Sequence, residues 1–245
     1  MLVTKGKPMQ QILGYMRKAI VDYNMIQNGD HIAVGVSGGK DSLALLVGLC
    51  RLREFIGINY TLTAITIDPC FNGVHTNYSS VTELCGSLGV PQIIKRSDLG
   101  DIIFNQRREK SPCSLCARMR RGMLHDIAKA QGCNKLALGH HYNDAVETFI
   151  MNLFYEGRVG CFQPVSYLSR KDLTMFRPLI LAPEKDIQRA ARRCAFPVVK
   201  SSCPVDGVTA RETTKNWLVS MEQNGYPGLT KRIFGAIQRG NISGF

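Results

Sequence analysis

The sequence predicts an α/β fold built on a doubly wound, mostly parallel sheet. Strand-like and helix-like segments alternate from residue 31 to residue 155, and this order buries both faces of a parallel sheet under helices. Hydrophobic residues make up 44% of the 245 residues and charged residues 20%, a balance that excludes a disordered polymer. A chain of this length can bury a sizeable core, so we expect one main domain with appendages.

The predicted elements follow one another along the chain. A first amphipathic helix is expected because apolar residues recur at helical spacing from Met9 to Tyr23. The predicted strands cover residues 31–36, 60–67, 91–95, 135–139 and 175–177. The predicted helices cover residues 41–54, 77–88, 114–130, 143–155, 183–195, 209–222 and 230–239, and residues 157–173 are expected to form a loop. We therefore divide the chain into an N-terminal helical segment (1–30), a catalytic domain (31–206) and a helical C-terminal tail (207–245).

The charge of the chain favours a polyanionic partner. Its 31 Lys and Arg residues exceed its 19 Asp and Glu residues by twelve, and nucleic acid is the commonest partner of such a surface. A basic, solvated surface without such a partner is the alternative. No apolar stretch approaches the ~20 residues of a membrane helix, and no secretory signal is recognisable, so we expect a cytoplasmic protein that does not enter a membrane.

The strongest local signal is a glycine-rich loop between the first two predicted elements of the alternation. It reads Ser37-Gly38-Gly39-Lys40-Asp41-Ser42. Glycines let the backbone approach an anion closely, and the helix that follows offers free N–H groups and the positive end of its dipole. Lys40 adds a positive charge, the two serines add hydroxyl donors, and Asp41 can hold Mg²⁺ against phosphate oxygens. The spacing fits neither the P-loop of kinases and GTPases nor the G-x-G-x-x-G dinucleotide pattern.

In this setting the hexapeptide resembles the PP-loop of ATP pyrophosphatases, which split ATP between its α- and β-phosphates to adenylate a substrate. The resemblance implies an adenine nucleotide alpha hydrolase-like fold that binds ATP and Mg²⁺. Asp68 follows a predicted strand and lies where that family contacts the adenosine. The run from Gly139 to Asp144 resembles the family's Gly-His-His-x-Asp-Asp signature, except that Asn143 replaces its first Asp. We expect Gly139, His140 and Asp144 near the nucleotide or its metal, whereas His141 is equally compatible with packing at a helix N-terminus.

Nine cysteines in a chain without a secretory signal argue for metal or sulfur chemistry rather than for disulfides. Cys113 and Cys116 form a C-x-x-C pair that enters a predicted helix, and Cys203 lies 87 residues after Cys116. Three thiolates can bind an iron–sulfur cluster and leave one iron without a protein ligand. Persulfide chemistry on one of these cysteines, or a zinc site completed by another ligand, is the alternative. Packing is expected for the remaining six: Cys50, Cys70, Cys85, Cys133, Cys161 and Cys194.

The motifs together resemble the tRNA 2-thiocytidine synthetase family over about residues 31–206. Besides the PP-loop, the resemblance rests on the C-x-x-C followed by Ala117-Arg118-Met119-Arg120-Arg121-Gly122, on Gly-His-His, on Met151-Asn152-Leu153-Phe154-Tyr155 and on the later single cysteine. It implies ATP-dependent thiolation of cytidine 32 in the tRNA anticodon loop, with a [4Fe-4S] cluster held by Cys113, Cys116 and Cys203. Here Cys203 is followed by Pro204 rather than by a second C-x-x-C, so it stands as a single ligand.

The implied reaction has two stages. The cytidine O2 attacks the α-phosphorus of ATP and expels pyrophosphate, and sulfide on the open iron then displaces AMP from carbon 2. Asp41, Asp144 and the three cysteines are the expected catalytic residues, and Arg120 is expected to meet the charge that develops on phosphate. The implied partners are tRNA, a sulfur donor (a cysteine desulfurase or sulfide) and a second copy of the chain, contacted through the N-terminal helix.

Basic residues cluster in two zones where tRNA phosphates could bind. The first zone comprises Arg107, Arg108, Lys110, Arg118, Arg120 and Arg121. The second comprises Lys185, Arg189, Arg192, Arg193, Lys200, Arg211 and Lys215. Phe154 or Tyr155 could stack on the splayed cytidine, although we expect both to pack in the core.

Two other functions stay open. The first is a PP-loop tRNA-modifying enzyme that acts on another nucleoside, such as a lysidine-type ligase or a 2-thiouridine synthetase. The second is a cluster-bearing RNA-binding module that has lost catalysis, which only the Asn143 substitution favours.

Overall fold

The structure is a computed structural model that describes residues 7–107, 112–205, 207 and 209–245, with the side chains of residues 7 and 8 left out. Its strands are β1 (Asp30–Gly35), β2 (Tyr60–Asp68), β3 (Gln92–Arg96), β4 (Lys135–Ala137), β5 (Val165–Leu168) and β6 (Leu173–Phe176). Its helices are α1 (Lys7–Asp22), α2 (Lys40–Leu52), α3 (Ser79–Ser87), α4 (Leu99–Asp101), α5 (Pro112–Ala130), α6 (Tyr142–Tyr155), α7 (Glu184–Arg193), α8 (Ala210–Gln223) and α9 (Leu229–Arg239). Short 3₁₀ turns lie at Phe71–Gly73 and Ile242–Gly244, and a π-helical turn lies at Ile102–Gln106.

The six strands form one sheet in the order β3-β2-β1-β4-β6-β5. Every neighbouring pair is parallel except β5 and β6, which form an antiparallel hairpin at one edge. The predicted α/β class with a mostly parallel sheet is therefore confirmed, and β1 lies centrally between β2 and β4. The carboxyl ends of the parallel strands meet at one edge of the sheet, which is where such folds bind ligands.

Alternate residues of β1 show how the two faces of the sheet are covered. Ile32 and Val34 point into the main core, to which α1, α2, α3, α6 and α7 contribute. Ala33 points to the opposite face and packs in a smaller core with Leu124 and Ala128 of α5. This alternation follows from the two-residue period of a strand, and it places α5 over the face of the sheet opposite the main core.

One predicted loop is wrong. Residues 157–173 contain β5, whose four residues pair with β6. The segment has little sequence signal because it is a short edge strand: Tyr167 is 63% exposed, and none of the four residues of β5 is fully buried. Its hydrogen bonds to β6 are what make it a strand.

The terminal helices pack on the central layers. Helix α1 lies against α2 and α7, and its residues Ile12 and Met16 belong to the main core. Helices α8 and α9 lie against α6, and contribute Leu218 and Phe234 to the same core. No helix in the described part of the chain is both long and apolar enough to cross a membrane.

Candidate active site

A cavity of about 340 Å³ lies at the carboxyl edge of the sheet, beneath α5. Its walls come from the glycine-rich loop, β2, α5 and the loop after β4. The lining residues that matter below are Ser37, Asp41, Ser42, Ile65, Ile67, Ala117, Arg120, Arg121, Gly139 and His140. Ser37, Asp41 and Ser42 of the predicted loop thus meet Arg120 in one cavity, whereas Lys40 lines a separate pocket.

The glycine-rich loop is held in shape by its own serines. Ser42 donates its hydroxyl to the carbonyl of Gly39 at 2.9 Å and accepts from the N–H of Ser37 at 3.1 Å. Gly38 has a φ of +84°, and a Cβ built on it would lie 3.0 Å from Val199 Cβ. Only glycine fits there comfortably, because an L side chain is disfavoured at that φ and the space is filled.

Lys40 and Asp41 are the first two residues of α2. A third charged residue, Glu184, lies beside them and belongs to none of the motifs predicted from sequence. Lys40 Nζ lies 2.9 Å from Asp41 Oδ2 and 3.1 Å from Glu184 Oε1. The second carboxylate oxygen of Asp41, Oδ1, is buried and has no hydrogen-bond partner among the described residues. A buried carboxylate oxygen without a donor fits the predicted contact with Mg²⁺, since hard cations take oxygen ligands.

The loop after β4 touches the glycine-rich loop directly. A Cβ at Gly139 would lie 3.1 Å from the backbone nitrogen of Ser42, so this close approach requires glycine. The next residue, His140, lines the cavity and contacts Phe162, with ring centroids 5.0 Å apart and ring planes tilted by 43°. Burial lowers the pKa of His140 to about 4, so the ring is neutral at pH 7.

Phe162 also makes a cation–π contact with a buried arginine, Arg177. The guanidinium of Arg177 lies 4.8 Å from the ring centroid, and its Nη1 donates to the carbonyl of Gln163. Burial lowers the pKa of Arg177 to about 10, and its Nε has no hydrogen-bond partner among the described residues. No local sequence pattern predicts this arrangement, because His140, Phe162 and Arg177 come from three separate segments.

His141 and Asp144 cap α6 rather than line the cavity. Asp144 Oδ2 accepts the N–H of His141 at 2.9 Å, and His141 Nδ1 accepts the N–H of Asp144 at 3.3 Å. Burial alone would raise the pKa of Asp144, but His141 and Arg211 outweigh burial and lower it. Asp144 therefore has a structural role here, and its predicted catalytic role stays a prediction.

Asn143, the residue that departs from the family signature, caps the next helix along. Its side-chain oxygen accepts the N–H of Glu184, the first residue of α7, at 2.9 Å. An aspartate could make the same contact. The substitution therefore has a structural explanation that does not require loss of catalysis.

Asp68 is fully buried at the end of β2 and faces away from the cavity residues of that strand, Ile65 and Ile67. Its oxygens accept hydrogen bonds from the backbone of Cys70 and from Thr76. The structure thus gives Asp68 a role in shaping the loop that follows, and its contact with adenosine stays a prediction.

The three predicted cysteine ligands come together beside the cavity. Cys113 and Cys116 lie one turn apart at the start of α5, and Cys203 packs in the small apolar cluster that contains Cys116. Burial and the neighbouring Cys203 raise the pKa of Cys113, and burial likewise raises the pKa of Cys116. Arg120, which lines the cavity, lowers both values. For both Cys113 and Cys116 burial outweighs this effect of Arg120, so the pKa of each thiol stays above its ordinary value.

The segment that carries Cys203 also reaches the glycine-rich loop. The N–H of Val199 donates to the carbonyl of Gly38 at 3.0 Å, four residues before Cys203. A short segment, residues 199–203, therefore connects the glycine-rich loop with Cys203.

Five of the six remaining cysteines are buried, namely Cys50, Cys70, Cys85, Cys133 and Cys194, while Cys161 is half-buried. The expectation that Phe154 and Tyr155 pack in the core is wrong, since they are 56% and 60% exposed. They occupy the last turn of α6, beyond the part that meets the core, and Phe154 contacts Trp217 with ring centroids 5.3 Å apart.

The two basic zones differ in how far their charges are already neutralised. In the first zone Arg118, Arg120 and Arg121 are exposed, and Arg108 and Lys110 lie outside the described residues. In the second zone Arg189, Arg211 and Lys215 pair with acids. The other four residues of that zone, Lys185, Arg192, Arg193 and Lys200, are exposed.

Comparison with known proteins agrees with this geometry. The family model described as "PP-loop domain" matches residues 9–203. The tRNA-cytidine(32) 2-sulfurtransferase of Geobacter sulfurreducens is 37% identical over 236 residues, covering 95% of this chain and 90% of that protein. The protein of the same name from Syntrophotalea carbinolica is 36% identical and covers 99% of this chain and 93% of its own length.

Among solved structures, the U34-tRNA thiolase NcsA from Methanococcus maripaludis, solved with its [4Fe-4S] cluster, superposes with a TM-score of 0.77. The match covers 95% of this chain and 78% of that one, at 24% identity. An NH₃-dependent NAD synthetase from Campylobacter jejuni gives a TM-score of 0.50 at 17% identity. Both likenesses concern the fold.

Proposed function

Because the chain belongs to the PP-loop family and, within it, to the tRNA-cytidine(32) 2-sulfurtransferases, we propose that it converts cytidine 32 of tRNA into 2-thiocytidine at the expense of ATP. The reaction has two stages. The cytidine O2 attacks the α-phosphorus and expels pyrophosphate, and a sulfide nucleophile then displaces AMP from carbon 2. ATP and Mg²⁺ serve the first stage, and the cysteine trio serves the second.

One observation carries this proposal: α5 contributes to both halves of the site. Its N-terminal end bears Cys113 and Cys116, and the residues that follow place Ala117, Arg120 and Arg121 on the cavity wall. The opposite wall is the glycine-rich loop with Ser37, Asp41 and Ser42. A nucleotide in this cavity would have its phosphates next to the thiols, as two consecutive displacements at neighbouring atoms require.

The residues of the chain have distinct tasks in the first stage. The N–H groups at the start of α2 and the charge of Lys40 bind the phosphates of ATP. Asp41 Oδ1, which accepts no hydrogen bond from the described residues and lies 3.7 Å from His141 Nε2, would hold Mg²⁺, and a bound Mg²⁺ would supply charge stabilisation for the leaving pyrophosphate. Arg120 stabilises the charge that develops on the α-phosphate, and neutral His140 can donate or accept a hydrogen bond without adding charge.

The cysteine trio fits a four-iron, four-sulfur cluster better than a single zinc ion. Among the described residues, one group alone has its metal-ligating atoms within 4.8 Å of one another, and it does not include this trio. The three sulfurs of the trio therefore do not all lie within 4.8 Å of one another, which is compatible with thiolates that bind different irons of one cluster. Cys113, Cys116 and Cys203 would hold the cluster, which supplies an iron without a protein ligand where sulfur can bind.

The test is reconstitution of the full chain with iron and sulfide in the absence of oxygen, followed by reaction with tRNA, ATP and Mg²⁺. We expect AMP, pyrophosphate and 2-thiocytidine at position 32, detected by nucleoside mass spectrometry. Cys203→Ala should lose the oxygen-sensitive cluster and the product, whereas Cys194→Ala, which changes a cysteine buried elsewhere, should keep both. An unchanged cluster in Cys203→Ala would refute the three-ligand assignment, and a product other than 2-thiocytidine would refute the substrate.

The proposed setting is the cytoplasm, where tRNA and a cysteine desulfurase or free sulfide are available. We further propose a homodimer in which α1 provides a contact. Val21 near the end of this helix is 67% exposed, which supports the proposal. Measurement of the molar mass in solution by light scattering tests it, and a mass of 27.2 kDa would contradict it.

A further inference from the structure

The loop that follows β2 gathers three metal-ligating side chains that the proposed reaction does not use. A carboxylate oxygen of Asp68, the thiol of Cys70 and a ring nitrogen of His75 all lie within 4.8 Å of one another. Cys70 Sγ lies 3.2 Å from His75 Nδ1. Asp68 and Cys70 are buried and His75 is exposed, so the group opens toward solvent on one side.

Both ends of this loop, at Cys70 and at Thr76, donate hydrogen bonds to the carboxylate of Asp68. Asp68 Oδ1 accepts the N–H of Cys70 at 3.2 Å and the hydroxyl of Thr76 at 3.1 Å, and Oδ2 accepts the N–H of Thr76 at 3.0 Å. Oδ2 thus keeps a lone pair free, because a carboxylate oxygen can accept two bonds. Cys70 itself has a φ of +49°, which turns the chain back toward His75.

None of the surface of Asp68 is exposed, and the partners of its carboxylate among the described residues are Cys70 and Thr76, neither of which carries a positive charge. A buried carboxylate is costly unless a cation or a metal ion balances its charge. The three backbone and hydroxyl donors satisfy its hydrogen bonds and leave its charge without a cation. A metal ion bound by Cys70 and His75 would supply that positive charge.

We propose that Asp68, Cys70 and His75 form a binding site for a divalent cation of the zinc class, separate from Cys113, Cys116 and Cys203. Thiolate, imidazole and carboxylate together suit Zn²⁺, whereas Mg²⁺ and Ca²⁺ take oxygen ligands. Three protein ligands leave the fourth position to water on the side where His75 is exposed.

The site borders the cysteine trio without sharing a ligand with it. Phe71, next to Cys70, packs in the apolar cluster that contains Cys116 and Leu115, with Cys203 against it. A cation bound by Cys70 would therefore hold Phe71 in place, and with it the apolar cluster against which Cys203 packs. The proposal does not depend on the nucleoside that the enzyme modifies.

The experiment uses the full chain with its iron–sulfur cluster in place, handled without oxygen and loaded with Zn²⁺ before removal of the excess. We expect one zinc per chain by elemental analysis, and X-ray absorption at the zinc edge should show one sulfur neighbour, with nitrogen or oxygen completing the shell. Cys70→Ser and His75→Ala should each weaken zinc binding on the order of 100-fold or more. Cys161→Ser is the matched control and should bind zinc like the unchanged chain.

His75→Ala alters an exposed side chain, so it tests the site even if Cys70→Ser does not fold. Three sulfur neighbours around zinc would assign the metal to Cys113, Cys116 and Cys203 and overturn the proposal. Retention of zinc by His75→Ala with unchanged affinity, or no zinc on the unchanged chain, would overturn it equally.

Discussion

Glu184 is a carboxylate that, besides Asp41, holds Lys40 of the glycine-rich loop in place. It pairs with Lys40 at 3.1 Å and with Lys215 of α8 at 3.0 Å. Burial alone would raise the pKa of Glu184, but the two lysines outweigh burial and lower it from 4.5 to about 2. The carboxylate of Glu184 thus links the glycine-rich loop, through Lys40, to α8, through Lys215.

This gives a prediction for acid stability. Since the folded pKa of Glu184 lies below its unfolded value, its contribution is present above pH 4.5 and is lost as the pH falls toward 2. Glu184→Gln should lower the free energy of unfolding by about 1–3 kcal/mol at pH 7 and by almost nothing near pH 2. Urea titrations across this pH range measure the difference, with the exposed Glu54→Gln as control. A difference that does not change with pH would contradict the assignment.

At this scale the glycine-rich loop and the Cys113–Cys116 pair were predictable because contiguous motifs carry them, whereas Cys203, 87 residues after Cys116, was added through the family resemblance. Glu184, Phe162 and Arg177 were missed, because they reach the site only through the fold. Cys70 was expected to pack as a buried residue. Its contact with His75 could not be predicted, because the fold of the loop brings the two side chains together.

Among the elements, the connection between the glycine-rich loop and the segment before Cys203 depends on Gly38. Gly38→Ala should cost about 1–2 kcal/mol of stability, because φ is +84° and Val199 occupies the space. It should also weaken ATP binding, because the loop must shift to relieve the contact.

Gly86→Ala in α3 is the matched comparison, since nothing lies within 4 Å of the added methyl group. There the change should be neutral or stabilise the fold by up to about 1 kcal/mol. Thermal unfolding and ATP titration measure both variants. Equal behaviour of the two would contradict the argument from Gly38.

The junction between α6 and α7 gives a second prediction for elements. Asn143→Asp should keep the cap on Glu184 and keep activity, since either side chain offers an oxygen to that N–H. Asn143→Ala should cost about 1 kcal/mol of stability. Unfolding curves and AMP release test the pair. If the unchanged chain is inactive and Asn143→Asp restores activity, the result would instead support the hypothesis of an RNA-binding module that has lost catalysis.

Element boundaries were predictable where the apolar pattern is strong. The strand predicted at 31–36 lies at 30–35, and the helix predicted at 143–155 lies at 142–155. Strand β5 and the turns between residues 99 and 106 were not predictable, because pairing and packing with distant residues stabilise them rather than a local pattern.

For the whole molecule, the net charge of +12 predicts salt-dependent binding of tRNA. Arg118, Arg192 and Arg193 are exposed and not engaged in the ion pairs described above, so we expect them to contact phosphates. Replacing each by alanine should weaken tRNA binding across sequences and reduce the slope of log affinity against log salt by about 1 per lost contact.

Filter-binding or fluorescence titrations at several salt concentrations measure these slopes. Arg51→Ala is the control, because Arg51 lies at the far end of α2 and pairs with Glu54. Unchanged slopes for all three arginine variants would place the tRNA elsewhere on the surface.

The strand order has a consequence for how the chain acquires its fold during synthesis. The central strand β1 pairs on one side with β2, and on the other with β4, where Ile32 meets Lys135. A ribosome must therefore release about a hundred further residues before β1 gains its second neighbour. Contacts so distant in sequence form slowly, so the nascent chain keeps one apolar strand edge open over this interval. Chaperone demand should therefore be highest before the segment that ends in β4 emerges.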